Sequence, residues 1–166
     1  AGSLIKNGRA DAVKLEGGLP YKSHIKALVE SGIPVMGHVG LMPQSIKKMG
    51  GYKIQGKTSK GASRVLEDAF SIQEAGGFAV VLEGIPSSLA RRISSELDIP
   101  TIGIGAGIHC DGQIQVFHDV LGLYKQFTPK HSSVFHNVRS NIYDGLKKYK
   151  NAVLNKTFPS KKNENF

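Results

Sequence analysis

Two short apolar runs end in the same way. Ala12-Val13-Lys14-Leu15-Glu16-Gly17 and Ala79-Val80-Val81-Leu82-Glu83-Gly84 each place a carboxylate at the end of a strand-like stretch, next to glycine. Side chains alternate along a strand, so Lys14 and Glu16 share one face and Val13 and Leu15 the other. The Val/Leu face suits packing against helices, which turns Lys14 and Glu16 towards an interior. Burying opposite charges there is costly unless they are paired or used. Two readings stay open for this pair: an ion pair that seals the interior, or part of a working site. Glu83 has no charged neighbour at position 81 or 85. Packing explains it poorly, and partial burial suits it to general acid or base catalysis. The competing reading is a carboxylate that caps the next turn. His38, in Gly37-His38-Val39-Gly40, also ends a strand-like run; it can donate a hydrogen bond, shuttle a proton, or serve as a satisfied structural residue.

The remaining candidates are weaker. Gly103-Ile104-Gly105-Ala106-Gly107 follows a strand and could bring backbone amides to a phosphate. It lacks both the GxGxxG order and the Lys-Ser/Thr of a P-loop, so a tight turn is the favoured reading. Cys110 has no base nearby in sequence and gives no support for a nucleophile. His109 and Cys110 are adjacent without a second Cys/His pair, which argues against a zinc site of the usual spacing. His118-Asp119 could pair behind a site, or simply belong to a loop.

The elements that must position these residues follow from hydrophobic pattern. Residues 12–15, 34–39, 79–82, 101–104 and 114–117 read as strands, several of them without polar alternation, as parallel strands covered on both faces do. Helical stripes lie between most of them. Ile25, Leu28 and Val29 share a face, and Gly32 ends that helix. Ala62, Val65, Leu66, Ala69 and Ile72 form a second stripe closed by Gly76. Ser87 is expected to cap a third, with Leu89, Ile93 and Leu97 on one side. Phe135, Val138, Ile142, Leu146, Tyr149 and Val153 fit one long later helix, which Gly145 weakens. The β-α-β-α order implies a parallel sheet with right-handed crossovers. Polar residues at strand ends suggest a (β/α)₈ barrel of the TIM type, with its chemistry at one mouth; a doubly wound open sheet is the alternative. Only five strands are countable where such a barrel has eight. The expected layout is a partial barrel with the catalytic face over 1–123, a helical segment over 124–154 and a basic flexible tail over 155–166.

Bulk properties narrow the class. The 166 residues, 40% hydrophobic with 20 glycines, suit one globular α/β domain. A single cysteine allows no internal disulfide. No apolar run is long enough to span a membrane, and no signal peptide is visible. The net charge of +9 divides unevenly, +2 over residues 1–120 and +7 over 121–166. A basic tail can bind nucleic acid, but no nucleic-acid motif accompanies it, so a solvated helix and a frayed end are expected.

Taken together, several stretches resemble ketopantoate hydroxymethyltransferases. They are AVKLEGG (12–18), GIPVMGHVGLMPQS (32–45), GYKIQGKT (51–58), FAVVLEGIP (78–86), IPTIGIGAG (99–107), CDGQ (110–113) and HDVLGL (118–123), in order and without large gaps. The resemblance implies a (β/α)₈ barrel. It implies transfer of a hydroxymethyl group from 5,10-methylenetetrahydrofolate to 3-methyl-2-oxobutanoate, giving 2-dehydropantoate in pantothenate and coenzyme A synthesis. It implies Mg²⁺ as the metal, Glu16 in the metal site, Lys14 at the keto acid, His38 near the substrate and Glu83 as the proton acceptor. It also implies a homo-oligomer; the chain is expected to be cytoplasmic, or mitochondrial in a eukaryote, with a small-molecule keto acid and folate as partners, no membrane partner, and nucleic acid disfavoured.

The family carries three further strands before the region matching residue 1, with two aspartates of the metal site and a substrate-binding serine. Met42 stands where threonine is common. The alternative is therefore a non-catalytic fragment or pseudoenzyme that needs a partner for those strands. A carbon–carbon lyase of the phosphoenolpyruvate-utilising barrels is a further reading, set aside only through the family match.

Overall fold

The computed structural model describes residues 1–47, 51–124 and 129–163. The end of the tail expected to be flexible, 164–166, lies outside them. The chain divides into two units, Ala1–Ile114 and Gln115–Phe166.

The first unit begins with a short helix α1 (Gly2–Lys6) and then alternates strands with helices. The order is β1 (Val13–Glu16), α2 (Lys22–Glu30), β2 (Val35–Gly40), α3 (Ser59–Glu74), β3 (Ala79–Glu83), α4 (Ser87–Glu96), β4 (Thr101–Ile104) and β5 (Gly112–Gln113). The strands form one parallel sheet in the order β1-β2-β3-β4-β5. The order never reverses, whereas a doubly wound sheet reverses at its switch point.

One face of this sheet carries Val13, Val35, Val39, Val80 and Leu82, which join the core with Ile25 of α2, Val65, Ala69 and Ile72 of α3, and Leu89, Ala90 and Ile93 of α4. The helical stripes read from sequence are these packing faces. Each fully buried aliphatic side chain contributes roughly 1.5–3 kcal/mol. A Cβ on Gly37 would lie 2.4 Å from Ile72 Cδ1, so glycine there lets α3 approach the sheet. Helix ends follow local chemistry. Thr58 caps α3 by accepting from the Gly61 N–H at 3.1 Å. Gly32, at φ +78°, closes α2 by donating to the Val29 carbonyl.

Three expectations are corrected. The fifth strand is Gly112–Gln113, not 114–117. Ile114 still donates to the Gly103 carbonyl at 3.0 Å, but its side chain and those of Val116 and Phe117 are exposed. An apolar run becomes a buried strand only where something covers it. Pro86, not Ser87, occupies the cap position of α4; Ser87 is the first helical residue and makes no capping hydrogen bond. Phe135 precedes the later helix and is not part of its seam.

The second unit holds a one-turn helix α5 (Phe117–Val120) and the long helix α6 (Val138–Leu154), capped by Asn137 Oδ1 accepting from the Ser140 N–H. The Phe135 and Val138 N–H groups donate to the Val120 and Leu121 carbonyls. After α6 the chain turns back, with the Thr157 N–H donating to the Ala152 carbonyl and the Phe158 ring packed edge-on against Tyr149. Among the described residues no helix is long and apolar enough to cross a membrane.

Candidate functional site

Strand register gathers four of the residues singled out from sequence. Glu16 pairs with His38, His38 pairs with Val81, and Glu83 lies two positions beyond Val81. Paired residues of a parallel sheet point the same way, and the period of two keeps that direction. Lys14, Glu16, His38 and Glu83 therefore share the face turned away from α3, at the carboxyl ends of three neighbouring strands.

His38 is the hub. Its side chain is 3% exposed, against 12% for Glu16, 16% for Glu83 and 46% for Lys14. Lys14 Nζ lies 3.2 Å from His38 Nδ1 and 3.6 Å from Glu16 Oε1. Glu16 Oε1 is 3.7 Å from the same Nδ1. On the other side of the ring, Nε2 is 3.2 Å from Glu83 Oε2. That approach is within ion-pair reach but off line for a hydrogen bond, so Nε2 is a buried polar atom without a hydrogen-bond partner among the described residues. Leaving such an atom unpaired costs about 1–3 kcal/mol, which marks a position where a ligand oxygen would be welcome.

Loops fix the rim. Pro43 starts a 3₁₀ turn, Pro43–Ser45, that directs the Gln44 N–H onto Glu16 Oε2 at 3.1 Å. After β1, Gly17 takes φ +112°, and a Cβ on Gly18 would sit 2.3 Å from Asp68 Cβ. That close approach lets Asp68 accept from the Leu19 N–H at 2.8 Å, pinning the turn that presents Tyr21. Lys14, Leu15, Glu16, Tyr21, Gln44 and Ser45 line an open hollow of about 450 Å³. The Gln55 N–H donates to the Gly84 carbonyl at 2.8 Å, tying the segment after residue 51 to the end of β3.

Gln44, Tyr21, Asp68 and Gln55 were not singled out from sequence. The Pro43 turn and the Gly17-Gly18 pair were the visible signals for the first three; nothing local pointed to Gln55. The weaker sequence candidates do not join the cluster. Cys110 packs partly buried at the edge of the core, and burial pushes its thiol up from the ordinary value. His109 accepts from Arg91. Gly105 and Gly107 hold positive φ in a turn, with Ser87 packed where a Gly107 Cβ would go. His118 stacks on Tyr124 within the second unit.

Glu16 supplies the hard oxygen donors that a cation such as Mg²⁺ takes. Its Oε2 is engaged by a backbone amide, and its Oε1 lies beside an ammonium. Among the described residues no group of three or more His, Cys, Asp or Glu gathers as metal ligands. Among the described residues Glu16 is therefore a candidate ligand without a coordination set. What the cluster can do is move a proton at Glu83, donate from His38 Nε2, and attract an acidic group to Lys14.

The chain is 56% identical over 160 residues to the 3-methyl-2-oxobutanoate hydroxymethyltransferase of Geobacter sulfurreducens, covering 96% of this chain and 60% of that protein. It is 54% identical over 159 residues to the enzyme of that name from Syntrophotalea carbinolica, again 96% and 60%. With that from Syntrophobacter fumaroxidans it shares 51% over 164 residues, 99% of this chain and 58% of the relative. The chain thus spans about 60% of the length of the curated relatives it matches. The sequence profile of the ketopantoate hydroxymethyltransferases matches residues 1–161, which include all four clustered residues, and the chain belongs to that family.

Proposed function

We propose that this chain carries the proton-transfer part of a hydroxymethyltransferase site that converts 3-methyl-2-oxobutanoate to 2-dehydropantoate. The observation that carries this reading is the His38 hub, which holds Glu83 on one side of a buried ring and the Lys14–Glu16 pair on the other. Lys14, the most exposed of the four, faces the open hollow and suits the carboxylate of an α-keto acid. Glu83 takes the C3 proton as its general base. The resulting enolate carbon bonds to the one-carbon unit of 5,10-methylenetetrahydrofolate; both folate N–CH₂ bonds break, water supplies the hydroxyl oxygen, and the two freed folate nitrogens end with the C3 proton and the remaining water proton. Mg²⁺ would supply Lewis acidity for the enolate charge, with Glu16 as the residue of this chain suited to hold it. The five sequential parallel strands support closure into a (β/α)₈ barrel in the working protein, and the family reading extends to a cytoplasmic homo-oligomer.

A second reading is a non-catalytic fragment or pseudoenzyme that acts only with a partner. The observation that favours it is that, among the described residues, no three His, Cys, Asp or Glu side chains gather as metal ligands. One experiment separates the two. The chain is placed in D₂O with 3-methyl-2-oxobutanoate and Mg²⁺, and loss of the C3–H signal is followed by NMR, then 2-dehydropantoate is assayed after adding the folate. The proposed function expects exchange and product, with Glu83→Gln slowing exchange about 10²- to 10⁴-fold. An unchanged rate in Glu83→Gln removes Glu83 from the mechanism. A chain that shows neither exchange nor product alone, and gains both when a partner chain completing the barrel is added, establishes the second reading.

A further inference from the structure

We propose that Lys14 sets the tautomer of His38, and so acts on the site through the imidazole as well as on any ligand it meets directly. An ammonium group has donors and no acceptor. With Lys14 Nζ at 3.2 Å, His38 Nδ1 must therefore accept. A ring nitrogen accepts only when it carries no proton, which leaves the neutral ring protonated at Nε2.

The competing arrangement is visible in the same cluster. Glu16 Oε1 would favour the opposite tautomer by accepting from a protonated Nδ1, but it stands at 3.7 Å, beyond hydrogen-bond range. The same ammonium lies 3.6 Å from that oxygen, which holds it between the two acceptors. The ring itself is nearly enclosed and fixed by register between β1 and β3.

The tautomer decides what the far side of the ring presents to Glu83. With the proton on Nε2, a donor faces Glu83 Oε2 at 3.2 Å. With the proton on Nδ1, a lone pair would face a carboxylate, and the two would repel. Because Nε2 has no in-line partner among the described residues, its N–H can close onto Glu83 after a small rotation, or onto a ligand oxygen. Lys14 is thus a positioning residue for Glu83, two strands away. This consequence for catalysis rests on the proposed function; the tautomer does not.

The test is a long-range ¹H–¹⁵N correlation spectrum of the imidazoles of the ¹⁵N-labelled 166-residue chain at neutral pH, without keto acid, folate or metal. His38 is identified among the six histidines by the signals lost in His38→Gln. The expected result is a neutral ring protonated at Nε2, with the proton shifted wholly or partly to Nδ1 in Lys14→Met and retained on Nε2 in Lys14→Arg, whose guanidinium is also donor-only. A wild-type ring protonated at Nδ1, or doubly protonated, overturns the inference. So does a Lys14→Met spectrum that keeps the Nε2 pattern unchanged. Should Lys14→Met fail to fold, the wild-type and Lys14→Arg spectra decide. A chain that shows the tautomer but no hydroxymethyl transfer loses the proposed function and keeps this inference; the reverse outcome separates them equally.

Discussion

Asp68 and Asp111 both accept backbone hydrogen bonds, yet their surroundings push them in opposite directions. Burial raises the Asp68 carboxyl above its ordinary 3.8, against the lowering effect of the Leu19 amide and of Arg64. The hydrogen bond from the Thr101 amide, joined by the Thr101 hydroxyl, lowers Asp111 below the same value. The folded state therefore binds the Asp68 proton more tightly than the unfolded chain does. Its contribution is fully present below the ordinary value and is lost as pH rises through the folded one. Asp68→Asn keeps an acceptor for the Leu19 amide and removes the buried charge. The variant should match or exceed wild-type stability at neutral pH and lose its advantage in acid, as read from urea midpoints between about pH 3 and pH 7. A midpoint that falls at neutral pH would show that the charge itself holds the Leu19 turn. Cys110 permits a second check at this scale. With its thiol pushed up by burial, it should react with a thiol reagent more slowly in the folded chain than in urea.

At the scale of elements, one side chain adds to the backbone pairing at the junction between β4 and β5. Asp111 Oδ2 accepts from both the Thr101 N–H at 2.8 Å and the Thr101 hydroxyl at 2.9 Å, and Ser94 of α4 meets that hydroxyl at 2.7 Å. Thr101 is fully buried, so Asp111→Ala leaves its amide without a partner, at about 1–3 kcal/mol. Asp111→Asn retains an acceptor and should lose less; equal losses in denaturant melts would mean that charge, not hydrogen-bond geometry, closes the junction. At the end of β2, Gly40 has φ +91°, and a Cβ there would meet the Glu83 carbonyl oxygen at 2.3 Å. Backbone cannot move aside as a flexible side chain can. Gly40→Ala should push β2 from β3 next to Glu83 and destabilise by more than about 1 kcal/mol, the ordinary cost of a misplaced Ala at positive φ.

For the whole molecule, charge is the property that no single element carries. Residues 121–166 hold +7 of the net +9, and helix α6 presents Ile142, Leu146 and Tyr149 to solvent alongside its lysines. Charge of this kind attracts any polyanion at low ionic strength, with affinity falling steeply as salt rises. Fluorescence anisotropy with a labelled DNA duplex should show at most weak binding that disappears at physiological salt. A complex that survives there would make the basic segment a nucleic-acid surface after all.

The residues themselves determined a good deal. Apolar runs marked four of the five strands, several of them without polar alternation, because a parallel strand covered on both faces has little room for polar side chains. The helical stripes over α2, α3 and α4 were legible because each must bury a face of period 3.6. The strand-end carboxylates Glu16 and Glu83 stood out because packing gives them no reason to be there. The fifth strand was misplaced, because Ile114, Val116 and Phe117 look buried in sequence and only the structure shows their side chains exposed. Register alone, through Glu16 paired with His38 and Gly40 with Glu83, decided that the four side chains meet on one face. For Gln44 and Asp68 the Pro43 turn and the Gly17-Gly18 pair marked a bend but not its partner, since a backbone amide acquires a target only when the chain folds a distant carboxylate onto it, across 28 residues in one case and 49 in the other.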